Sequence, residues 1–449
     1  MTLATTVGLV SLGCSKNRVD SEQMLKLLSE KGYQVLSDPS LAEVIIVNTC
    51  GFIQAAKEEA ISTLLEMAQY KENGNCRLLV ATGCLAQRYP EEIRAEMPEV
   101  DAILGVNEYA RLHEAIQGAL GGARPVYTDD DGSFFEYGRT LTTPGYSAYV
   151  RIGEGCDNWC SFCAIPLIRG HYRSRPQEDI LAEIRELVSR GVREFTLIAQ
   201  DTTRYGTDAG GSAPSRLPEL IEAAAAIPGV AWLRVLYCYP ERIDRRLVDA
   251  MLAHPNVCRY LDIPLQHIAP RVLRDMNRAD TAEHIREVVA LLRQNGIAIR
   301  TTLMVGFPGE TEEEFAELMD FVKQTRFERM GAFAYSPEEG TDAATMPDQV
   351  PEEIKQARYD ALMTLQQGIS RELGKARIGE TCRVLVERRR AKRYVGRSAL
   401  EAPETDGLIY FDSDVPLMPG DFCTVRITGA RAYDLTGVCL EKETGRDEA

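Results

Sequence analysis

Three cysteines lie close together near the middle of the chain, at Cys156, Cys160 and Cys163. Thiolates are soft ligands that suit iron–sulfur clusters and zinc. Three thiolates on one short loop can hold three corners of a four-iron cluster and leave its fourth iron open to a substrate. A structural zinc site normally has four protein ligands, and the nearest fourth candidate, His171, lies beyond the apolar segment Ala164–Ile168. The spacing therefore predicts a four-iron cluster, with zinc as the alternative.

A second group of cysteines lies in the N-terminal region, where Cys14, Cys50 and Cys84 each come just after a short apolar run. Ligands of open α/β sheets collect outside the carboxyl ends of the parallel strands. The three side chains could therefore meet at one edge of a sheet, and three separately buried cysteines are the alternative on this pattern. Cys76 precedes a predicted strand instead, so it is not included in this group.

The segments around these cysteines alternate between strand and helix. The apolar runs Thr6–Leu12, Val44–Asn48 and Arg77–Ala81 predict strands, and the spacing of apolar residues in Ser21–Lys31 and Ile53–Tyr70 predicts helices. Such alternation is typical of a parallel sheet with both faces covered. We therefore predict an open parallel-sheet α/β domain over residues 4–120.

Six further strand–helix units follow a predicted linker over residues 121–145. The predicted strands are Ala148–Ile152, Phe195–Ala199, Trp232–Leu236, Arg259–Ile263, Ile299–Val305 and Met330–Tyr335. This series predicts a central domain over residues 142–373, a partial (βα)6 barrel closed by a helix over Glu352–Leu373. After Gly374 short alternating strands predict a small β-barrel over residues 374–445.

The composition limits the class of protein. The chain has 449 residues, a net charge of −16 and 12 cysteines. It has no apolar run of roughly eighteen residues, the length that spans a bilayer, and no N-terminal secretion signal, so we expect a cytoplasmic protein. In such a chain many cysteines favour metal binding or redox chemistry over disulfides. The negative net charge argues against a protein that coats nucleic acid. An acidic surface would instead attract a basic partner.

The central cysteines resemble the signature of the radical S-adenosylmethionine (SAM) enzymes, with gaps of three and two residues and Phe162 before the last cysteine. In that family the open iron binds SAM, and an electron from the cluster cleaves SAM to methionine and a 5′-deoxyadenosyl radical. The resemblance implies that Phe162 contacts the adenine of SAM.

Later segments resemble the parts of that family that surround SAM. Gly306, Phe307 and Pro308, in Val305–Glu310, follow a strand and resemble the adenine-side motif, where glycines let the backbone approach a ligand. Gln200 and Gln266 also stand at predicted strand ends, where they could bond to the methionine and ribose groups of SAM. The alternative for each segment is a simple turn at the end of a strand.

The N-terminal stretches Ser11–Glu22, Asn48–Phe52 and Thr82–Cys84 resemble the methylthiotransferase domain, and the last domain resembles a TRAM module. The chain is thus similar to the methylthiotransferase family of radical SAM enzymes. The resemblance implies that Cys14, Cys50 and Cys84 hold a second [4Fe-4S] cluster, which supplies sulfur, while a second SAM supplies a methyl group. An unactivated C–H bond becomes C–S–CH3. A radical is needed because no side-chain base can remove such a proton.

The family has two relevant branches, one acting on an adenosine in transfer RNA and one on an aspartate β-carbon of the twelfth small-subunit ribosomal protein. Stretches that resemble the ribosomal-protein branch are Ser15-Lys16-Asn17, where RNA-modifying relatives usually carry Gln-Met-Asn, together with Gln200–Gly206, Pro264–Ile268, Ala164–Pro166 and Arg169–Arg175. We therefore expect a SAM-dependent transferase of methylthio groups to that aspartate, with transfer RNA methylthiolation as the alternative. An electron-transfer protein is a third reading, but ferredoxin-type sites use four cysteines per cluster.

The charge of the last domain bears on its partner. Residues 374–449 contain thirteen Lys or Arg and thirteen Asp or Glu, whereas RNA-binding domains are normally basic on one face. The basic run Arg388–Arg393 is expected to be a solvated, partly paired loop. We expect a basic ribosomal protein, free or within the ribosome, as substrate, an electron donor as second partner, no membrane, and RNA contact only as a secondary role.

The remaining cysteines are expected to be buried hydrophobes: Cys238, Cys258, Cys382, Cys423 and Cys439.

Overall fold

Six parallel strands form the N-terminal sheet in the order β2-β1-β3-β4-β5-β6. A computed structural model describes residues 5–129, 136–209 and 213–443. The strands are β1 (Thr6–Ser11), β2 (Gln34–Leu36), β3 (Val44–Thr49), β4 (Leu78–Gly83), β5 (Ala102–Leu104) and β6 (Val126–Tyr127). The helices are α1 (Ser15–Glu30), α2 (Gln54–Ala68), α3 (Tyr70–Asn73), α4 (Cys84–Arg88), α5 (Pro90–Glu96) and α6 (Leu112–Leu120). Separate apolar clusters cover the two faces of the sheet, which confirms the predicted architecture.

Helix α1 begins at Ser15 rather than at the predicted Ser21. The apolar periodicity starts late because the first turns are polar, yet Asn17, Asp20 and Glu22 are completely buried. Buried polar side chains need hydrogen-bonding partners inside the protein. The start of this helix therefore belongs to a polar site and not to the apolar core.

The central region is a second parallel sheet in the order β14-β13-β12-β11-β10-β7. Its strands, with a short antiparallel pair β8 and β9, are β7 (Ser147–Arg151), β8 (Gly153–Glu154), β9 (Arg173–Ser174), β10 (Glu194–Ile198), β11 (Trp232–Val235), β12 (Val257–Gln266), β13 (Ala298–Val305) and β14 (Arg329–Ala334). The helices are α7 (Ile165–Arg169), α8 (Gln177–Ser189), α9 (Leu217–Ala225), α10 (Arg245–Ala253), α11 (Pro270–Asp275), α12 (Ala282–Gln294), α13 (Glu312–Thr325), α14 (Asp342–Thr345) and α15 (Glu352–Ala376). Six strands in sequence order confirm the predicted partial barrel.

The C-terminal region is a closed barrel in the order β15-β16-β17-β19-β18. Its strands are β15 (Thr381–Arg390), β16 (Arg393–Ser398), β17 (Ile409–Asp412), β18 (Phe422–Ala430) and β19 (Leu435–Lys442). The sequence predicts strands at Thr381–Glu387, Leu408–Phe411, Asp421–Ile427 and Gly437–Leu440. It missed β16, because the pairing of β16 with β15 begins inside the basic run. Arg388–Arg393 forms the exposed end of this hairpin, with Arg393 paired to Asp412 at 3.4 Å, so it is solvated and partly paired as expected. The expected loop is wrong for most of the run, because Arg388–Arg390 ends β15 and Arg393 begins β16.

The chain forms two compact units that do not follow the order of the sequence. One contains residues 1–142, 153–175 and 336–344, and the other contains residues 143–152, 176–335 and 345–449. The central cysteine loop thus shares a unit with the N-terminal cysteines. The domain limits 4–120, 142–373 and 374–445 stay predictions, and residues 4, 444 and 445, like Asp130, Asp131 and Gly132 of the predicted linker, lie outside the described residues.

Buried ion pairs join the C-terminal barrel to the central sheet within the second unit. Arg397 of β16 contacts Glu194 of β10 at 2.6 Å and Glu387 at 2.5 Å, and Glu194 is also 3.7 Å from Arg234. These charged groups are buried away from water, so the stability of each depends on its partner.

No helix in the described part of the chain is both long enough and apolar enough to cross a membrane.

Replacement of Arg397 by glutamine is expected to lower the free energy of unfolding by about 3–5 kcal/mol, because it leaves the buried Glu194 carboxylate short of a partner. The control is Arg245→Gln, which removes the exposed Arg245–Asp249 pair and should cost less than about 1 kcal/mol. Urea unfolding of the cluster-free protein measures both. Equal losses in the two variants would contradict the assigned role of the buried pair.

Candidate functional site

The three N-terminal cysteines follow strands that are neighbours in the sheet. Cys14, Cys50 and Cys84 come after β1, β3 and β4, which pair in parallel in that order, so their carboxyl ends share one edge. The backbones are close there. A Cβ added to Gly13 would lie 3.1 Å from Cys50 Sγ, and one added to Gly51 would lie 3.0 Å from the Cys84 carbonyl carbon. The structure thus brings the three predicted ligands to one place.

The side chain of Asn17 connects these strand ends. Its Nδ2 donates to the carbonyl oxygens of Leu12 at 3.0 Å and Thr49 at 2.9 Å. Its Oδ1 accepts a hydrogen bond from Arg169 at 2.8 Å and lies 3.6 Å from Cys84 Sγ. One buried amide therefore links residues next to all three cysteines and fixes their spacing.

Burial and charge determine the protonation of these thiols. Burial raises the pKa of Cys50, and it raises the pKa of Cys84 to about 12 although the positive charge of Arg169 opposes the shift. Without a metal the two thiols are protonated near neutral pH, and metal binding must displace those protons. A set of three soft donors at one sheet edge fits an iron–sulfur cluster.

The same site does not fit a single metal ion. Across residues 5–129, 136–209 and 213–443, no three His, Cys, Asp or Glu side chains converge as ligands of one ion. Cysteines that hold a four-iron cluster each bind a different iron and need not converge on one point. The three cysteines at this edge are therefore compatible with the predicted cluster, the alternative at this site being three separately buried thiols.

The second triplet lies on a loop between β8 and α7. Cys156, Cys160 and Cys163 are all partly exposed, and the backbone amide of Cys156 donates to the Gly170 carbonyl at 3.1 Å. His171, the alternative zinc ligand, instead has Nδ1 2.7 Å from the Asp157 carboxylate in an exposed position. The His171 side chain therefore contacts Asp157, and the three thiols are the candidate ligands on this loop.

Close packing requires a glycine immediately before this loop. A Cβ added to Gly155, whose φ is +75°, would lie 2.1 Å from the His171 carbonyl oxygen. Phe162, the predicted adenine contact, is buried. Backbone packing and a buried aromatic side chain thus set the path of the loop.

The other predicted SAM residues stand at carboxyl ends of strands in the second unit. Gln200 follows β10, Gln266 is the last residue of β12, and Gly306 follows β13. Pro308 is buried, and the Phe307 side chain is completely buried against Tyr335. Any contact of Phe307 with SAM must therefore come from its backbone.

A buried network that sequence reasoning missed holds two of these segments together. His267 accepts at Nδ1 from the Ala269 amide at 3.0 Å, which leaves Nε2 to donate to Glu310 at 3.2 Å. Glu310 also accepts from the Gly306 amide and from Arg358 at 3.1 Å. His267 and Glu310 lie in the stretches that the sequence singled out, whereas Arg358 lies on helix α15 and gave no signal.

Three family models match successive parts of the chain. Residues 6–105 match the Uncharacterized protein family UPF0004, residues 150–322 match the Radical SAM superfamily, and residues 378–440 match the TRAM domain.

Curated relatives match almost the whole chain. The ribosomal protein uS12 methylthiotransferase RimO of Clostridium botulinum is 50% identical over 436 residues, covering 96% of this chain and 97% of the relative. The RimO protein of Desulforamulus reducens is 49% identical over 441 residues, covering 96% and 99%. The chain belongs to the RimO family of radical SAM methylthiotransferases. The two [4Fe-4S] clusters and SAM predicted from the sequence are the cofactors of this family.

Solved structures share the fold at low identity. The radical SAM methyltransferase TsrM from Kitasatospora setae aligns with a TM-score of 0.58 and 16% identity, covering 76% of this chain and 74% of that one. The radical enzyme OxsB aligns with a TM-score of 0.51 and 14% identity, covering 82% and 56%. These similarities support the fold of this RimO-family chain.

The remaining cysteines only partly follow expectation. Cys238, Cys258 and Cys423 are buried, as predicted. Cys382 and Cys439 are only partly buried, so the prediction is wrong for these two. Both stand on strands of the small C-terminal barrel, which has too few apolar layers to cover every side chain that its alternating pattern directs inward.

The close contact at Gly51 gives a test of the N-terminal site in this RimO-family chain. In Gly51→Ala the new Cβ would lie 2.8 Å from the Leu85 backbone nitrogen and would displace the chain that carries Cys84. After anaerobic reconstitution we expect about half of the iron to be lost, because one of two clusters cannot form. Gly118→Ala is the control, since its Cβ would meet only Pro125 at 3.8 Å. Full iron content in Gly51→Ala would contradict the assigned site.

Proposed function

We propose that this chain transfers a methylthio group to the β-carbon of an aspartate in ribosomal protein uS12. Membership of the RimO family supports this function, since the relatives that match along the whole chain are uS12 methylthiotransferases. The observation in the structure that carries the proposal is the presence of two cysteine triplets in one compact unit. Ferredoxin-type electron-transfer proteins instead use four cysteines per cluster.

Each triplet has a separate task in this proposal. Cys156, Cys160 and Cys163 would hold the cluster that binds SAM, and Cys14, Cys50 and Cys84 would hold the other. When bound, these groups supply radical chemistry and transferable sulfur. The remaining residues of the chain act by holding and orienting.

The residues at the strand ends would orient SAM. The Glu310 carboxylate fixes the Gly306 amide and, through His267, fixes the strand end that carries Gln266. Because Glu310 and His267 are both buried, this network keeps its geometry when solvent or substrate is exchanged. Gln200 and Gln266 would then meet SAM in a fixed orientation, which lowers the entropic cost of binding.

Charge supports a protein substrate over naked RNA. The enzyme has a net charge of −16, and ribosomal proteins that bind RNA are basic. The exposed hairpin end Arg388–Arg393 is the feature of the described TRAM domain that fits RNA contact, so we assign it an auxiliary role. With a ribosomal protein as substrate, the reaction takes place in the cytoplasm. An electron donor completes the proposed set of partners.

Variants of the two triplets should separate the half-reactions. Replacement of Cys156, Cys160 and Cys163 by alanine is expected to abolish the formation of 5′-deoxyadenosine, because the protein then lacks the cluster that would bind SAM. Replacement of Cys14, Cys50 and Cys84 should leave 5′-deoxyadenosine formation and abolish the methylthio product. Cys258→Ala, a buried thiol on β12, serves as the control and should retain both activities. Mass spectrometry of a uS12 substrate measures the product, and a methylthio product from the N-terminal variant would overturn the division.

The substrate can be tested in cells that lack this gene. We expect the mass of uS12 to fall by one methylthio group, with transfer RNA nucleosides unchanged, and the wild-type gene to restore it. Loss of methylthio-adenosine with unchanged uS12 would identify transfer RNA as the substrate instead.

A further inference from the structure

Arg169 is a fully buried cation beside the N-terminal cysteines. It is the last residue of α7, in the same loop region as the second triplet, and its side chain is only 2% exposed. Its Nη1 donates to the Glu154 carboxylate at 2.9 Å, and its Nη2 contacts the Asp20 carboxylate at 3.0 Å. Nη2 also lies 3.6 Å from Cys84 Sγ. One guanidinium thus touches a proposed cluster ligand and two buried carboxylates.

The cost of burying these groups indicates a function beyond packing. A guanidinium stays charged at any physiological pH, and the burial of an ion pair often contributes little net stability. An apolar side chain at position 169 could fill the space at a lower desolvation cost. The Arg169 group instead places a positive charge and an N–H donor against a thiol that would ligate iron.

Hydrogen bonds to ligating sulfur and the charges around a cluster determine its reduction potential. A nearby positive charge favours the added electron, and a nearby carboxylate opposes it. Asp20 is therefore expected to act in the opposite direction to Arg169, although both belong to the same contact. The opposite signs distinguish an electrostatic role from a purely structural one.

We propose that Arg169 is a positioning residue that raises the reduction potential of the cluster held by Cys14, Cys50 and Cys84, with Asp20 limiting the effect. This inference rests on the proposed function, because it requires a cluster at that triplet. Through Glu154, which also accepts from the Gly155 amide at 3.1 Å, the same guanidinium holds the backbone just before Cys156.

The test uses the full-length chain with Cys156, Cys160 and Cys163 replaced by alanine, so that one cluster remains. Redox titrations followed by electron paramagnetic resonance compare this background with Arg169→Gln, Arg169→Lys and Asp20→Asn added. At the background midpoint we expect Arg169→Gln to lower the ratio of reduced to oxidised cluster at least tenfold, a 59 mV shift for one electron. We expect Asp20→Asn to raise the ratio and Arg169→Lys to restore most of it.

A matched control separates charge from the loss of a buried ion pair. Arg139→Gln removes another buried arginine of the same unit, which donates to Glu22 at 3.0 Å, and should leave the midpoint unchanged. If the Arg169→Gln protein does not retain its cluster, the midpoint potential of the Asp20→Asn protein provides the test. A midpoint that stays constant or falls in Asp20→Asn overturns the inference. Absence of iron from the background itself would instead count against the proposed cluster site.

Discussion

The amide of Asn17 is the interaction on which the N-terminal site depends. An asparagine side chain has two donor hydrogens and two acceptor positions, and here all four are engaged, by Leu12, Thr49, Arg169 and Cys84. Aspartate at this position would place a carboxylate against two carbonyl oxygens, and leucine would leave those carbonyls without a donor. Hydrogen bonds from Asn17 to the backbone thus fix the chain next to the thiols, and the Cys84 S–H bond to Asn17 is given up when that thiol loses its proton to bind iron.

Ion pairs add to apolar contacts in connecting the distant segments of the first unit, where Ala164 and Ile168 also pack in the apolar cluster of the N-terminal sheet. Arg169 joins residues 153–175 to the N-terminal sheet, and Glu338 of residues 336–344 contacts Lys57 at 2.9 Å and Arg88 at 2.8 Å. The amide of Ala343 also donates to the Ser161 carbonyl at 2.8 Å, within the central cysteine loop. Polar contacts of this kind are directional, so they define position more narrowly than apolar packing does. Two cysteine triplets that act in one reaction, as proposed, need relative positions that are defined in this way.

The sequence was sufficient for most strands and for the sheet edge shared by Cys14, Cys50 and Cys84, because apolar runs are local patterns. The role of these cysteines as cluster ligands stays a prediction. The sequence could not reveal that Arg169 contacts both Cys84 and Glu154, since these contacts depend on how the chain returns to the first unit. Periodicity also placed the start of α1 six residues too late, because a buried polar turn looks like a solvated one. Arg358 was missed for a related reason: an arginine on a helix surface is common, and only the fold brings it to Glu310. These three errors therefore lie where buried polar or charged side chains replace apolar packing.

The C-terminal barrel and the proposed SAM residues lie at opposite ends of the same strands. Glu194 at the start of β10 and Arg329 at the start of β14 bind Arg397 and Glu401 of the barrel, whereas Gln266 ends β12. Strand β13, with eight residues, separates the two ends by about 26 Å at ~3.3 Å per residue. The buried ion pairs hold the barrel at the strand ends opposite those that carry the proposed SAM residues. A substrate that meets both must therefore span that distance, which a protein, a ribosomal assembly or a transfer RNA can do and a free nucleoside cannot.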